Sequence, residues 1–318
     1  MQNKLAIGVL AYNEEPFIKK VLEELIELNE TIYVVNDSST DDTHKIIREF
    51  SINNNVKLIN NDSNIGAGLS TKKLITAAKK DGYEFLIKVD GDGQFQKEDV
   101  VKIINLYKSS KYEFIKSNRF WSDGIVGKIP KIRFFGNLFA TLLLQFATGS
   151  NKLYDPLNGL FGISTKIEKG MENKYYPKRY GYPFFISSYA VVKSFTTYQI
   201  NNKVEYKDEK SSLSSVRVFI TIINLTIRFY FKKLNDKKRM GFLQKSALQD
   251  ILALFFLSMA FLSFLYLIFI TFLFDSTIIN SSNLLILAIA FTLISISLFI
   301  LSFKGEAAMR NEYIETEI

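Results

Sequence analysis

The sequence predicts an α/β protein with a Rossmann-like, mostly parallel sheet and helices on both faces, followed by a C-terminal hairpin of two transmembrane helices. Two observations predict this class. Short apolar runs alternate with amphipathic helical patterns from residue 4 to about residue 120, which is typical of a parallel sheet covered by helices. Near the C-terminal end lie two uncharged segments of 24 and 20 residues, and each is long enough to cross a bilayer.

The N-terminal elements are predicted from their apolar periodicity. The strands are KLAIGVLAY, TIYVVND, VKLIN and YEFLIKVD, and the helices between them are EEPFIKKVLEELIEL, TDDTHKIIREF and GAGLSTKKLITAAKK. The strands are continuous apolar runs, as expected when both faces of a sheet are covered, whereas the helices repeat apolar residues every three to four positions.

Polar residues collect where the predicted strands end. The first strand ends at Tyr12 with Glu14 just beyond it, the second ends at Asp37, the third is followed by polar residues within 60–68, and the fourth ends at Asp90 with Asp92 just beyond it. Ligands bind at the carboxyl ends of strands in such sheets, so these four strand ends should face one crevice. A glycine follows each of the last two acids, which predicts a loop with little side-chain bulk that lets a charged ligand approach.

Two of these strand-end motifs also have purely structural interpretations. SSTDDT, residues 38–43, is a reasonable helix start with Ser39 or Thr40 as the N-cap. NIGAG, residues 64–68, does not match a complete phosphate-binding fingerprint. Its glycines either approach a ligand or start a helix close to the sheet.

The composition restricts the possible chemistry to acidic residues. Cysteine is absent and His44 is the only histidine. Disulfides, thiolate nucleophiles and cysteine metal sites are therefore excluded, and a Ser-His pair or a histidine-rich metal cluster is disfavoured. Aspartate and glutamate remain the candidate catalytic and metal-binding groups.

The C-terminal third predicts a membrane protein. Ile251–Phe274 and Leu284–Phe303 carry no charge, and Lys203–Lys245 holds eleven Lys and Arg against four Asp and Glu. Beside two spans, this basic stretch favours an anionic membrane surface over nucleic acid as its partner. Six basic residues precede the first span and none lies between the spans, which predicts cytoplasmic termini and a cytoplasmic catalytic domain. In a bacterium this would be the inner membrane.

These patterns divide the chain into four predicted parts. They are a catalytic domain at 1–202, basic interfacial helices at 203–248, two transmembrane helices at 249–304 and a cytoplasmic tail at 305–318. Small residues in the first span, Ser258, Ala260 and Ser263, would allow packing against a second copy in a homo-oligomer.

A further apolar stretch, residues 134–149, is too short to span a bilayer. It follows Lys128, Lys131 and Arg133. Two interpretations remain open for it: an ordinary core helix, or a helix that lies on the membrane surface near the active site.

Five motifs in order resemble the family-two glycosyltransferases of the GT-A fold: VLAYNEE, VVNDSSTDDT, NIGAGLSTKKLITAA, VDGDGQ and DPLNGLFGIS. With its terminal hairpin the chain is similar to the branch that acts on polyprenyl phosphates. The resemblance implies an inverting transfer of a sugar from a nucleotide sugar, with UDP favoured, to undecaprenyl or dolichyl phosphate.

The resemblance also implies the roles of individual residues. A divalent metal, Mg²⁺ or Mn²⁺, would be held by Asp92 and Gln94 on the diphosphate of the donor. The nucleotide sugar would be bound by Ala11, Tyr12, Glu14, Asp37, Asp90, Gly91 and Asp92. The acceptor phosphate would be bound by Arg119, Arg133 and Asn137, and the catalytic residues would be Asp155, Arg119 and Asp90.

The sequence departs from the family pattern at several positions. Leu10 and Ala11 stand in place of a usual proline, and Asn36 stands in place of an aspartate. No glutamate lies near Pro183–Phe185, and Lys207–Ser212 lacks the family's arginine. These departures leave two other hypotheses open: a non-processive transferase that acts on a lipid-linked glycan or glycerolipid, and a membrane scaffold without turnover.

Overall fold

The computed structural model describes residues 4–53, 55–110, 112–120, 131–202, 215–239, 244–273 and 281–317. The chain divides into two compact units, one of Met1–Phe229 with Asn311–Ile318 and the other of Tyr230–Arg310. Lys207–Ser212, whose departure from the family pattern was noted above, and the rest of residues 203–214 lie outside the described ranges.

The first unit contains an eight-stranded sheet in the order β3-β2-β1-β4-β6-β5-β7-β8. In chain order the strands are β1 (Leu5–Ala11), β2 (Thr31–Asn36), β3 (Val56–Asn60), β4 (Phe85–Asp90), β5 (Phe114–Asn118), β6 (Phe161–Ser164), β7 (Thr197–Asn201) and β8 (Ile314–Thr316). Among the described strands β6 alone runs antiparallel to its neighbours, β4 and β5. The prediction of a mostly parallel sheet is confirmed.

Helices cover both faces of this sheet, as predicted. They are α1 (Glu15–Ile26), α2 (Thr43–Asn53), α3 (Ala67–Lys80), α4 (Lys97–Ser110), α5 (Lys131–Thr148), α6 (Glu168–Met171), α7 (Tyr182–Val192) and α8 (Ser215–Arg239). One core contains Ile18 of α1 and Ile103 of α4. The other contains Leu74 of α3, Leu144 of α5 and Phe184 of α7. Alternate strand residues point to opposite faces, so one sheet supplies both cores.

The C-terminal residues return to the sheet. Ile314–Thr316 form β8, which pairs in parallel with β7 from Thr197 to Gln199. The segment 305–318, expected as a tail, therefore contributes a strand to the first unit. The boundary between the two units falls inside α8, between Phe229 and Tyr230, rather than at residue 202, because the first part of α8 packs into the core through Ile222, Leu225 and Phe229.

The second unit is built around α9 (Gln244–Leu273) and α10 (Ser281–Arg310). The Ser246 and Ser302 hydroxyls lie 3.0 Å apart, and the Ser295 hydroxyl donates to the Ala253 carbonyl at 2.8 Å. Residues later in α9 contact residues earlier in α10, so the two helices form an antiparallel hairpin. Two stretches, Ser246–Phe269 and Asn283–Tyr313, are long and apolar enough to cross a membrane. Ala260, expected to face a second copy, is buried within this chain.

Candidate active site

The carboxyl ends of four parallel strands lie side by side. Ala11 of β1 pairs with Asn36 of β2, Asn36 pairs with Asn60 of β3, and Leu10 pairs with Asp90 of β4. The prediction that these strand ends lie together is confirmed, because the registers bring the polar residues at the end of each strand to one edge of the sheet. Asn36, the residue that departs from the family pattern, donates its amide to the Asn60 Oδ1 atom at 3.2 Å.

Asp90 is the last residue of β4, and Asp92 lies in the turn that follows. Both carboxylates are half-buried, and Asp92 Oδ1 accepts the backbone N–H of Gln94 at 3.0 Å. Among the described residues no group of three or more His, Cys, Asp and Glu side chains is gathered to hold a metal. The donors at this turn are oxygen atoms, which suit a hard divalent cation that takes one or two carboxylates together with substrate phosphates.

Asp37 is buried, and its carboxylate holds the loop after β3. It accepts the Asn61 amide at 2.7 Å, the Ile65 N–H at 2.9 Å and the Gly66 N–H at 2.8 Å. Each carboxylate oxygen therefore accepts at least one hydrogen bond from the chain itself. The geometry makes Asp37 an anchor of the loop that borders the site, and a direct contact with a nucleotide stays a prediction.

The remaining residues expected to bind the nucleotide sugar divide by exposure. Tyr12 is exposed and Glu14 half-buried at the start of α1, where both can reach a ligand. Ala11 is buried, and its carbonyl accepts the Asp37 N–H at 2.9 Å. Gly91 donates to the Leu10 carbonyl at 2.8 Å, and a Cβ atom there would lie 2.8 Å from the same oxygen. Glycine at position 91 thus lets the chain pack closely against β1.

The expected helix N-cap at Ser39 or Thr40 was wrong. Helix α2 begins at Thr43, and both residues instead connect two loops. The Ser39 hydroxyl accepts the Asn13 N–H at 3.0 Å, and the Thr40 N–H donates to Asn13 Oδ1 at 2.8 Å. Asn13 has a left-handed backbone with φ of 58°, which short polar side chains tolerate better than most. This pairing fixes the loop that carries Tyr12 and Glu14.

Arg119, the residue after β5, forms an ion pair with the fully buried Asp155. The Arg119 side chain donates from Nε and from Nη2 to the two carboxylate oxygens, at 2.8 Å each, and its backbone N–H donates at 3.0 Å. Asn137, also buried, donates its amide to Asp155 Oδ1. Arg133 is exposed on the same helix as Asn137. Asp155 itself has a left-handed backbone with φ of 51°, so it is held in place against some local strain.

The protonation of Asp155 follows from these contacts. Complete burial raises the pKa of its carboxyl group, but the Arg119 guanidinium, Lys116 and the Asn137 amide outweigh burial and hold the pKa below the usual value. Asp155 is therefore ionised at neutral pH and has low affinity for a proton. This arrangement suits an acid that orients Arg119 better than it suits a general base.

Two buried lysines escaped the sequence prediction. Lys88 of β4 and Lys116 of β5 both pair across the sheet with Phe161 of β6, so they stand in one row. Lys88 contacts Asp90, and Lys116 donates to the Asn158 carbonyl. Burial lowers the pKa of Lys116 to about 7. A lysine inside an otherwise apolar strand was the signal that could have revealed both.

The segment Asp155–Gly159 touches all of these groups. Its first residue holds Arg119, and its Asn158 carbonyl accepts from Lys116. A Cβ atom on Gly159 would lie 2.3 Å from Asp90 Oδ2. One five-residue segment therefore lies between the acid at the end of β4 and the arginine after β5.

Comparison with known proteins identifies the family. The model of the family described as Glycosyl transferase family 2 matches residues 6–170, more than half of the chain. The chain belongs to glycosyl transferase family 2. The glycosyltransferase motifs identified in the sequence, from Val9 to Ser164, lie within this match, and the chain is a glycosyltransferase.

Two relatives of this glycosyltransferase are archaeal proteins. An uncharacterized protein of Methanocaldococcus jannaschii is 29% identical over 229 residues, which is 70% of this chain and 96% of that protein. The UDP-N-acetylglucosamine–dolichyl-phosphate N-acetylglucosaminyltransferase of Methanococcus voltae is 28% identical over 195 residues, which is 57% of this chain and 77% of that protein.

Solved structures confirm the predicted GT-A fold. Glucosyl-3-phosphoglycerate synthase from Mycobacterium tuberculosis in complex with UDP is similar with a TM-score of 0.52 and 14% identity, covering 71% of this chain and 80% of that chain. A complex of the same synthase with Mn²⁺, UDP and glucosyl-3-phosphoglycerate has a TM-score of 0.51 at 14% identity, with the same coverage. At this identity the likeness establishes the fold.

The glycines of NIGAG in this glycosyltransferase pack against the chain before α7. A Cβ atom on Gly68 would lie 2.0 Å from the Pro177 carbonyl oxygen. We expect Gly68→Ala to destabilise the protein by about 1–3 kcal/mol, as overpacking in a rigid contact does. Thermal unfolding of the detergent-purified protein measures the effect.

Gly136→Ala is the control for this prediction. Gly136 lies in α5 with nothing within 4 Å of a Cβ atom, so alanine there should leave the stability unchanged or raise it by about 0.5–1 kcal/mol. Equal unfolding temperatures for the two variants would show that the backbone near Pro177 yields easily, and that the packing explanation for Gly68 is wrong.

Proposed function

We propose that this glycosyltransferase transfers a sugar from a nucleotide sugar, with UDP as the nucleotide, to a membrane polyprenyl phosphate, undecaprenyl or dolichyl phosphate, with inversion of the anomeric carbon. The supporting observation is the short segment between Asp90 and Arg119. Gly159 lies against Asp90 while Asp155 holds Arg119, so the two ends of one five-residue segment contact an acid assigned to the donor and a cation assigned to the acceptor. The M. voltae relative, which is named for UDP-N-acetylglucosamine and dolichyl phosphate, supports the same substrates.

The reaction needs positioning more than base catalysis. A phosphate oxygen of the acceptor forms a bond to the anomeric carbon, the bond between that carbon and the donor's diphosphate breaks, and its electron pair leaves with the nucleoside diphosphate. A phosphate monoester has a second pKa of about 6, so the attacking oxygen is already largely deprotonated at neutral pH. The main requirement is therefore to hold two anions together in the right orientation.

We assign the residues accordingly. Asp92 with Gln94 would hold Mg²⁺ or Mn²⁺ on the donor diphosphate, and a bound cation there supplies Lewis-acid stabilisation of the leaving group. Tyr12 and Glu14 would contact the nucleoside, and Asp90 the sugar. Arg119 and Arg133 would bind the acceptor phosphate, since a guanidinium fork matches phosphate oxygens. Asp155 and Asn137 would orient Arg119 from the buried side.

The surface of the first unit favours a lipid acceptor. Helix α5 buries Asn137 and Leu144 but exposes one apolar stripe: Phe135, Leu138, Phe139, Leu142 and Phe146. Phe139 stacks on Phe219 of α8 with ring centroids 5.5 Å apart. Exposed Arg133 and Arg217 lie on the same two helices. Apolar residues flanked by basic ones are typical of a helix lying on an anionic bilayer surface, and we therefore prefer this of the two interpretations of residues 134–149.

The charge pattern supports the orientation of such a protein. Six basic residues precede the first candidate span and none lies in the loop between the spans. By the positive-inside rule the catalytic unit and both termini would face the cytoplasm, where nucleotide sugars are the expected donors.

Leu142→Glu tests the proposed membrane face. Leu142 is 55% exposed, so a carboxylate there is compatible with folding but would have to be kept out of the lipid. We expect transfer to a lipid acceptor in liposomes to fall about 10-fold, which corresponds to about 1.4 kcal/mol of lost surface binding. Hydrolysis of the nucleotide sugar in the absence of acceptor should stay within about twofold.

Ile52→Glu is the matched control for Leu142→Glu. Ile52 is 73% exposed on α2. It is distant from the α5 stripe in sequence, and α2 packs on the other face of the sheet from α5. It should change neither reaction. Equal losses of lipid transfer in both variants would show that surface charge, and not the α5 face, causes the effect.

The proposed function is tested by a screen of nucleotide sugars against undecaprenyl and dolichyl phosphate in detergent, with the product lipid read by mass. We expect one sugar-phosphate lipid to form, and its formation to stop with EDTA. Sugar appearing instead on a glycerolipid or a lipid-linked glycan would replace the proposed acceptor. The absence of both transfer and hydrolysis with every donor would support the scaffold hypothesis.

A further inference from the structure

Lys88 is a fully buried cation beside the donor acid. Its side chain is 0% exposed and pairs with Asp90, whose side chain is 30% exposed. The two residues are two positions apart on β4 and therefore point to the same face of the sheet. Burial lowers the pKa of Lys88, but the charge of Asp90 outweighs it, and the pKa lies above the usual 10.5. Lys88 is thus an ammonium ion at neutral pH.

Gly159 closes the other side of the Asp90 carboxylate. A Cβ atom on Gly159 would lie 2.3 Å from Asp90 Oδ2 and 3.1 Å from Lys88 Nζ. The Tyr182 ring lies with its centroid 5.5 Å from the same ammonium. The carboxylate is therefore confined between the ammonium on one oxygen and the backbone of the Asp155–Gly159 segment on the other.

Stability alone explains this pair poorly. Burying an ammonium ion costs several kcal/mol, and buried ion pairs can often be replaced by apolar residues with little loss of stability. Lys57 and Asp81 show the ordinary alternative, an ion pair of 2.5 Å between side chains that are 48% and 38% exposed. The buried ammonium differs from an exposed pair because it restricts an acid at the edge of the sheet, Asp90, to one rotamer.

We propose that Lys88 is a positioning residue for sugar transfer, which holds the Asp90 carboxylate against Gly159 so that Asp90 meets the donor sugar in a single orientation. The proposal rests on the function proposed above in one respect only, the assumption that Asp90 contacts the donor sugar. It adds a residue that none of the five sequence motifs marks as functional. Because Lys88 acts through Asp90, its loss should matter only when Asp90 is present.

A double-mutant cycle tests this dependence. Lys88→Met removes the ammonium while keeping a long side chain, and Asp90→Asn removes the charge that it holds. We expect Lys88→Met to lower kcat about 10²-fold, as a misplaced reacting group does, with the KM for the acceptor unchanged. In the Asp90→Asn background the same substitution should lower kcat by less than about threefold.

A second variant and a control accompany the cycle. Gly159→Ala leaves Lys88 in place but pushes a methyl group onto Asp90 Oδ2, and it should alter the ratio of donor hydrolysis to transfer as Lys88→Met does. That ratio does not depend on how much enzyme is folded. Lys57→Met, which removes a lysine from an exposed ion pair, should leave both kcat and the ratio unchanged.

The outcomes separate this inference from the proposed function. Equal losses from Lys88→Met in both backgrounds, or a loss matched by a fall in nucleotide-binding sites per protein, would overturn the positioning role. If the wild type hydrolyses the donor without making a lipid product, the proposed acceptor fails and the cycle is read on hydrolysis. If it does neither, the cycle is read on binding of UDP-N-acetylglucosamine, the donor named for the M. voltae relative, with Mg²⁺ by calorimetry, where non-additivity is again expected and additivity overturns the proposal.

Discussion

Asp92→Ala is expected to lower the rate of sugar transfer by at least about 10²-fold, comparable to the loss of one strong electrostatic stabiliser. Asp92 lies in the turn after β4, half-buried, with one carboxylate oxygen accepting the Gln94 N–H. Among the described residues no cluster of three acids or histidines exists to replace it as a metal ligand. Removing this carboxylate should therefore weaken both metal binding and the binding of UDP that depends on it.

The measurement combines activity with binding. Transfer of radiolabelled sugar is followed with and without EDTA, and calorimetry measures UDP binding with Mg²⁺ or Mn²⁺ added back. In the wild type EDTA should stop transfer, and in Asp92→Ala it should change little because the metal contribution is already lost. Glu23→Ala, which removes an exposed carboxylate on α1, is the control. Activity of Asp92→Ala within threefold of the wild type would remove Asp92 from the metal site.

Arg119→Ala is expected to lower transfer by at least about 10²-fold and to destabilise the protein by about 3–5 kcal/mol, the cost of leaving a buried charge without its partner. Arg119 makes the two side-chain hydrogen bonds to Asp155 described above, and Asp155 is 0% exposed. The contribution of this ion pair to the stability of the protein depends on pH. In the wild type the lowered pKa of Asp155 contributes stability at neutral pH, and this contribution is lost as the pH falls below the usual range of an aspartate.

In Arg119→Ala the sign of this dependence should reverse. Without the guanidinium, burial raises the pKa of Asp155, so the variant should gain stability as the pH falls toward the ordinary aspartate range. Unfolding temperatures of both proteins across that range measure the difference. The same slope in the two proteins would show that the ion pair does not set the protonation of Asp155.

A paired variant separates the stability effect from the catalytic one. Arg119→Met with Asp155→Asn removes both charges, so it should recover most of the lost stability without recovering transfer. Arg119→Lys keeps the charge but loses the fork, and it should bind the acceptor phosphate more weakly. Recovery of transfer in the double variant would mean that Arg119 only supports the fold and does not meet the acceptor.

The sequence was most informative where local pattern and tertiary structure have the same cause. VKLIN gave β3 to the residue, and GAGLSTKKLITAAKK gave α3 to within one residue. A strand covered on both faces is apolar throughout, whereas a helix lying on the sheet is apolar on one face only. The sequence pattern of each element therefore shows which of its faces are buried. The ends of the strands followed for the same reason. Asp90 at the end of the fourth strand and Asp92 in the turn after it were located correctly, because a buried strand ends where polar residues begin.

The sequence was less informative where a side chain forms its hydrogen bonds with residues far along the chain. Ser39 and Thr40 resembled a helix cap, but Asn13 takes their hydrogen bonds. Asp37 was predicted to bind the nucleotide, and no local pattern indicated that it also accepts hydrogen bonds from Asn61, Ile65 and Gly66. A short polar side chain bonds to whatever donor the fold brings near, and local sequence does not specify which.

The sequence by itself determined the family, the order of the first four strands and the three helices between them, and the two apolar helices near the C-terminal end, since these depend on the periodicity and length of contiguous segments. Only the tertiary structure decided that Arg119 pairs with Asp155, that Lys88 reaches Asp90 and that Gly159 lies against both. The antiparallel insertion of β6 between β4 and β5 places the segment before it, Asp155–Gly159, against residues of both strands. The energy of a buried charge depends on which opposite charge lies beside it, and the folded chain alone supplies that neighbour.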